Sequence, residues 1–208
     1  MDDIRDILAT ETAKGIIATG VEGGYDSVSC STAGDYPSLG VSSWEGLCGR
    51  GDSLLRKIPG GYFYTDRTYT DIRDSGELPA LRALLASPAG QQAQLDTLAE
   101  DCKAYVDAVR LVPTMDDTRC VIYACMWCPT STSVVQAFLR RRWAMYNLRS
   151  LKTLRDIFRA SYYIAADVGD EYKQGYANRA EITYQYVAGI DLTTPYGIPA
   201  YGEAGNGR

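Results

Sequence analysis

The chain has 208 residues, 46% apolar and 23% charged, enough for one compact soluble domain, and no apolar run approaches the ~20 residues of a membrane span. Its net charge of −5 and pI near 4.8 argue against a phosphate-backbone partner, so neither nucleic acid nor a membrane is expected to bind. It has no histidine, which excludes histidine-based triads and histidine metal sites and leaves hydrolytic chemistry to carboxylates.

Residues 2–19 predict a first helix, with Ile4, Ile7 and Leu8 on one face and Gly20 at its C-terminal cap. Residues 20–45, rich in Gly, Ser and Asp, predict a loop with a small strand region. A second helix is expected over 46–58, with Leu47, Leu54, Leu55 and Ile58 inward. Residues 59–76 read as irregular or as a short hairpin. Leu78 to Ala86 predicts a helix, and Ser87-Pro88 then caps and opens another that runs to about Val109. Further helices are expected over 116–128, 131–147, 150–164 and 167–189. From Thr193 the spacing of Pro and Gly predicts an extended tail. The expected fold is mainly α, a helical bundle with a small early β/loop region forming a cleft. The expected organisation is one domain over 1–193 followed by a tail over 194–208.

Cys120, Cys125 and Cys128 have the C-x4-C-x2-C spacing of some iron–sulfur proteins, but no fourth cysteine follows them. Buried free thiols in an apolar helical context are the better reading. Cys30 and Cys48 flank a polar loop, and a bridge between them stays open. No metal or organic cofactor is implied. The run Arg140-Arg141-Arg142 reads as a solvated helix face, and Trp127 and Trp143 read as core.

The informative stretch begins Glu22-Gly23-Gly24-Tyr25-Asp26-Ser27-Val28 and continues to Ser38-Leu39-Gly40-Val41-Ser42-Ser43-Trp44. Glu22 stands just past an apolar helix, where partial desolvation would raise the pKa of a carboxyl group and keep it protonated as an acid. These two segments resemble the E-S-G-G-x-Y-x-x-V and S-x-G-x-x-Q-W motifs of phage lysozyme-like peptidoglycan hydrolases. The first match is one residue shorter than the family pattern. The second departs at Ser43, where the family usually has Gln. Ala33-Gly34-Asp35 stands in place of the family's D-N-G. The likeness continues more loosely through Leu54-Leu55-Arg56-Lys57-Ile58, Gln91 to Val106 and Arg119 to Trp127.

The resemblance implies an α+β lysozyme-like fold that cleaves peptidoglycan glycan strands as a muramidase or lytic transglycosylase, with Glu22 as general acid. Asp35 ranks first as second carboxylate because its loop could fold over the cleft; Asp26 and Glu45 are the others. A transglycosylase would need no second carboxylate. Tyr25, Asp26, Ser43 and Trp44 are the expected glycan contacts, with the cluster Tyr62, Phe63, Tyr64 and Tyr69 a second set. The alternative is a catalytically weak or inactive wall-binding or structural module of a phage particle, favoured by Ser43. A cysteine peptidase is disfavoured by the lack of histidine. The implied partner is bacterial peptidoglycan, with other phage or wall-targeting components supplying any targeting. The N-terminus Met-Asp-Asp-Ile-Arg-Asp lacks the pattern of a secretory signal. Synthesis in the host cytoplasm is therefore expected, with action at the wall after lysis or from a virion.

Overall fold

The computed structural model describes residues 4–20, 23–46 and 49–192. Glu22, Leu47, Cys48 and the tail from Thr193 lie outside the described residues.

The described residues are mainly helical, with a small three-stranded antiparallel sheet. They divide into two compact units, one formed by the chain up to Thr19 together with residues from Ala99 onward, the other by Gly20–Leu98.

In the Gly20–Leu98 unit, Gly20 has φ +61°, the left-handed conformation that ends the preceding helix. The sheet follows: β1 (Val28–Cys30), β2 (Pro37–Leu39) and β3 (Trp44–Glu45) in sequential order. Val28 pairs with Leu39, and Leu39 with Trp44, so one apolar row crosses all three strands. Val28, Leu39 and Trp44 are buried. Burial on one face fixes the register, because a one-residue slip would turn this row to solvent.

Next come α2 (Arg50–Arg56), α3 (Tyr69–Asp74) and α4 (Leu78–Ala86). Leu54, Leu55, Ile72, Leu81 and Leu85 from these helices complete the core of this unit with Ile58. The second helix is shorter than expected. The structure also replaces the expected irregular stretch or hairpin over 59–76 by a 3-10 turn, Gly61–Tyr64, and the helix α3. The Thr68 side chain accepts from the Asp71 N–H and starts α3, a local capping bond that outweighs the β propensity of the tyrosines.

The long helix α5 (Pro88–Arg110) opens as the sequence predicts, with the Ser87 hydroxyl accepting from the Gly90 N–H at 3.1 Å. Its first half belongs to the Gly20–Leu98 unit and its second half to the other.

In that other unit, α1 (Ile4–Thr19) packs with α6 (Thr118–Cys125) and α9 (Lys173–Ala188). The remaining helices are α7 (Thr132–Arg140) and α8 (Leu151–Ala165), and α8 lies along α9. Trp127 anchors the core: its ring centroid is 4.8 Å from those of both Phe158 and Tyr162. Phe138 stands 4.7 Å from Phe158 and Tyr123 5.5 Å from it, so α6, α7 and α8 share one aromatic cluster. Edge and tilted ring pairs of this kind add to the burial of apolar area.

Trp143, expected in the core, is 45% exposed. The helix expected over 131–147 ends at Arg140, and the chain passes through turns from Arg141 to Tyr146, which rotates Trp143 off the apolar face that Val135, Phe138 and Leu139 bury. The segment expected to be helical over 167–189 begins instead with the 3-10 turn Asp170–Tyr172.

Cys120, Cys125 and Cys128 are buried free thiols, as expected; Cys102 is a further buried free thiol, and Cys30 is an exposed one. Burial pushes the Cys120 and Cys125 thiols far up and Cys128 to about 12, so these thiols are poor nucleophiles. Among the described residues no helix is long and apolar enough to cross a membrane, and no group of three or more His, Cys, Asp or Glu side chains is placed to hold a metal ion.

Candidate active site

Within the Gly20–Leu98 unit the segment after Glu22 folds around a polar recess of about 430 Å³. Gly23, Asp26 and Ser27 line it from the turn that leads into β1, Gly40 and Ser43 from the turn after β2, and Arg82 from α4.

Local hydrogen bonds explain why this segment folds here. The Gly24 N–H donates to the Ser27 hydroxyl oxygen at 3.1 Å, and the Ser27 N–H donates to the Gly24 carbonyl at 3.1 Å. This reciprocal turn encloses Asp26, which is exposed. The Gly40 N–H then donates to the Ser27 carbonyl at 2.7 Å, which ties the two turns together.

Gln94, fully buried on α5, holds the pair from below. Its side-chain Nε2 donates to the carbonyls of Tyr25 at 3.2 Å and Leu85 at 3.0 Å, while its Oε1 accepts from the Val41 N–H at 3.1 Å. One amide thus satisfies three backbone groups of three different segments. Gly40 is required beside it. Its φ is +66°, and a Cβ there would run into the Gln94 side-chain oxygen.

Of the residues expected at the site, Asp26 and Ser43 meet at the recess. Ser43 is exposed with φ 49°, a left-handed conformation uncommon for a residue with a side chain. Its carbonyl accepts from the Ser38 hydroxyl at 3.3 Å, which holds the turn in place.

Tyr25 is half-buried and contributes its carbonyl to the Gln94 bond. Trp44 is only 1% exposed and sits in the core beneath the sheet, so its ring offers no stacking face to a sugar. Asp35 does not line the recess. Its carboxylate accepts from the Thr70 N–H at 2.9 Å and its carbonyl from the Tyr69 N–H, so it caps the start of α3. Glu45 accepts from the Ser31 hydroxyl at 2.7 Å and is likewise engaged within the sheet. Tyr62 and Phe63 are exposed with ring centroids 3.9 Å apart, outside the recess.

Two contributors escaped the sequence reading. Arg82 brings a guanidinium into the recess, where its Nη2 donates to the Val28 carbonyl at 3.3 Å. Only its α4 position, four residues after Leu78 on a face that is otherwise apolar, hinted at such a role. Gln94 was visible only as one polar residue of the helix expected after Pro88. Asp52 of α2 carries a carboxyl pushed up by burial, with the Asp66 N–H donating to it, but it stands outside the recess.

A carboxylate, a guanidinium, several hydroxyls and exposed backbone converge on one concave surface. This mixture donates and accepts hydrogen bonds in many directions, as a polyhydroxylated ligand demands. No protein-family model, no curated protein and no solved structure matches the chain.

Proposed function

We propose that this protein is a lysozyme-like glycosidase that cleaves the glycan strands of peptidoglycan, with Glu22 as the general acid. The observation that carries the reading is the polar recess that starts at Gly23, the residue after Glu22, and brings Asp26, Ser43 and Arg82 together. In this scheme Glu22 protonates the leaving glycosidic oxygen. The sugar develops positive charge at its anomeric carbon as the bond breaks. Asp26 replaces Asp35 as the second carboxylate, because Asp26 lines the recess and Asp35 caps α3. It either stabilises that charge or activates the attacking water. Ser43 and the backbone of the Gly40 turn hold hydroxyl groups of the glycan.

A second reading, a wall-binding module without turnover, is favoured by one observation. Trp44 is buried and Ser43 stands where a longer amide would reach the substrate, so the glycan has fewer contacts than the motif implies. Turbidity of purified cell walls separates the two. The wild type clears walls, Glu22→Gln does not, and Asp26→Asn slows clearing by about two orders of magnitude or more, the usual scale of a general acid–base or charge-stabilising group. Equal clearing by wild type and Glu22→Gln would reject the glycosidase. Wall binding without clearing by any form would favour the second reading.

A further inference from the structure

A second concavity, about 450 Å³ in volume, lies between α7 and α8. Val134, Ala137, Ile164 and Ala165 give it apolar walls, and Arg141 and Arg142 stand at its margin. It belongs wholly to the unit that contains α7 and α8, apart from the recess described above.

Arg142 is held in a fixed pose. Its guanidinium carbon stands 3.7 Å from the centroid of the Phe138 ring. Its Nη1 donates to the Phe138 carbonyl at 3.1 Å and its Nη2 to the Ser161 hydroxyl at 3.0 Å. These bonds use two of the five N–H donors of the guanidinium. Among the described residues no carboxylate forms an ion pair with Arg141 or Arg142. Arg141 adds a like charge, and burial together with that charge lowers the Arg142 pKa. An uncompensated, partly desolvated cation pre-oriented on an aromatic face favours a planar anion. The chain as a whole is acidic, so this concentration of positive charge is local rather than a general property of its surface. Ile164, 64% exposed, places apolar surface beside the charges.

We propose that the groove between α7 and α8 binds an amphipathic carboxylate, its head at Arg141 and Arg142 and its apolar body along Val134, Ala137 and Ile164. Charge complementarity fixes the head, and the apolar walls require more than a bare anion. The volume falls within the roughly 300–1,000 Å³ of small-molecule sites.

The test titrates the full chain with octanoate, followed by calorimetry and by backbone amide shifts. Acetate serves as the head alone and octanol as the body alone. Octanoate is expected to bind and to shift amides of Ala137, Ser161 and Ile164, with acetate and octanol at least about tenfold weaker. Arg141→Gln and Ile164→Glu alter exposed side chains; each is expected to weaken octanoate about tenfold while the melting temperature stays within a degree or so. The proposal is overturned if octanoate does not bind, if acetate binds as well as octanoate, or if both variants bind like wild type. Capture by anionic phosphatidylglycerol vesicles without octanoate binding would also overturn it, because the groove would then not be the recognising element.

Discussion

Gln94 shows how a single buried amide can organise a site it does not enter. Its three hydrogen bonds join Tyr25, Val41 and Leu85, so the recess depends on its length and on the distinction between its oxygen and nitrogen. Gln94→Ala leaves one N–H and two carbonyls unpaired in the interior and should cost about 2–4 kcal/mol in urea unfolding. Gln94→Glu has the same shape but, when ionised, faces carboxylate oxygen toward two carbonyls; it should destabilise at least as much at neutral pH and partly recover in acid, as protonation restores a donor. Equal stability of wild type and Gln94→Glu at neutral pH would show that the amide orientation is not what holds the turns. Ser43 tests the other side of the recess. Its left-handed backbone favours glycine, so Ser43→Gly should leave stability unchanged or raise it by up to about 1 kcal/mol. Wall clearing should nonetheless fall severalfold if the hydroxyl holds the glycan. A variant that keeps full activity would remove Ser43 from the site.

At the scale of elements, helix starts were the most legible feature of the sequence. Ser87 before Pro88 is a local signal, and the structure uses it. Helix ends were less legible. Arg140-Arg141-Arg142-Trp143 continues a helical pattern on paper, yet the helix stops at Arg140, and Arg142 bonds the Phe138 carbonyl and the distant Ser161 hydroxyl. Nothing in the spacing of residues encodes that long-range choice. The same holds for α3, where one threonine cap sets the structure. An ion pair between the turns that precede α6 and α8 offers a pH test. Arg149 bonds both oxygens of Asp116 and holds its carboxyl below the ordinary 3.8. A depressed folded-state pKa contributes stability that is present above the unfolded pKa and is lost as pH falls through the folded one. The pair is nearly half exposed, so the contribution is a fraction of about 1 kcal/mol. Asp116→Asn should therefore lower the urea midpoint slightly at neutral pH, and the difference from wild type should fade as pH falls below the ordinary carboxylate range. A difference that persists in acid would point to lost packing rather than to charge.

For the whole molecule, the mainly helical class and the early sheet were readable from hydrophobic period and from the cluster of Gly, Ser and Asp. Division into two compact units was not, since α5 runs through the boundary without any break in its pattern. The site was partly readable. Asp26 and Ser43 converge, because both lie in turns whose residues favour tight backbone geometry. Trp44 is buried and Asp35 caps α3, because proximity in sequence says little about burial or about which helix end a carboxylate will cap. Arg82 comes from far along the chain, and only folding brings it to the recess. In the proposed reading Glu22 donates the proton that cleaves a glycosidic bond. The most direct measurement is mass analysis of the products released from purified peptidoglycan by the wild type and by Glu22→Gln. Wild type should release glycan fragments with new reducing or 1,6-anhydro ends, and Glu22→Gln should release none above background. Release of peptides alone, or the same new glycan ends from both proteins, would contradict the claim.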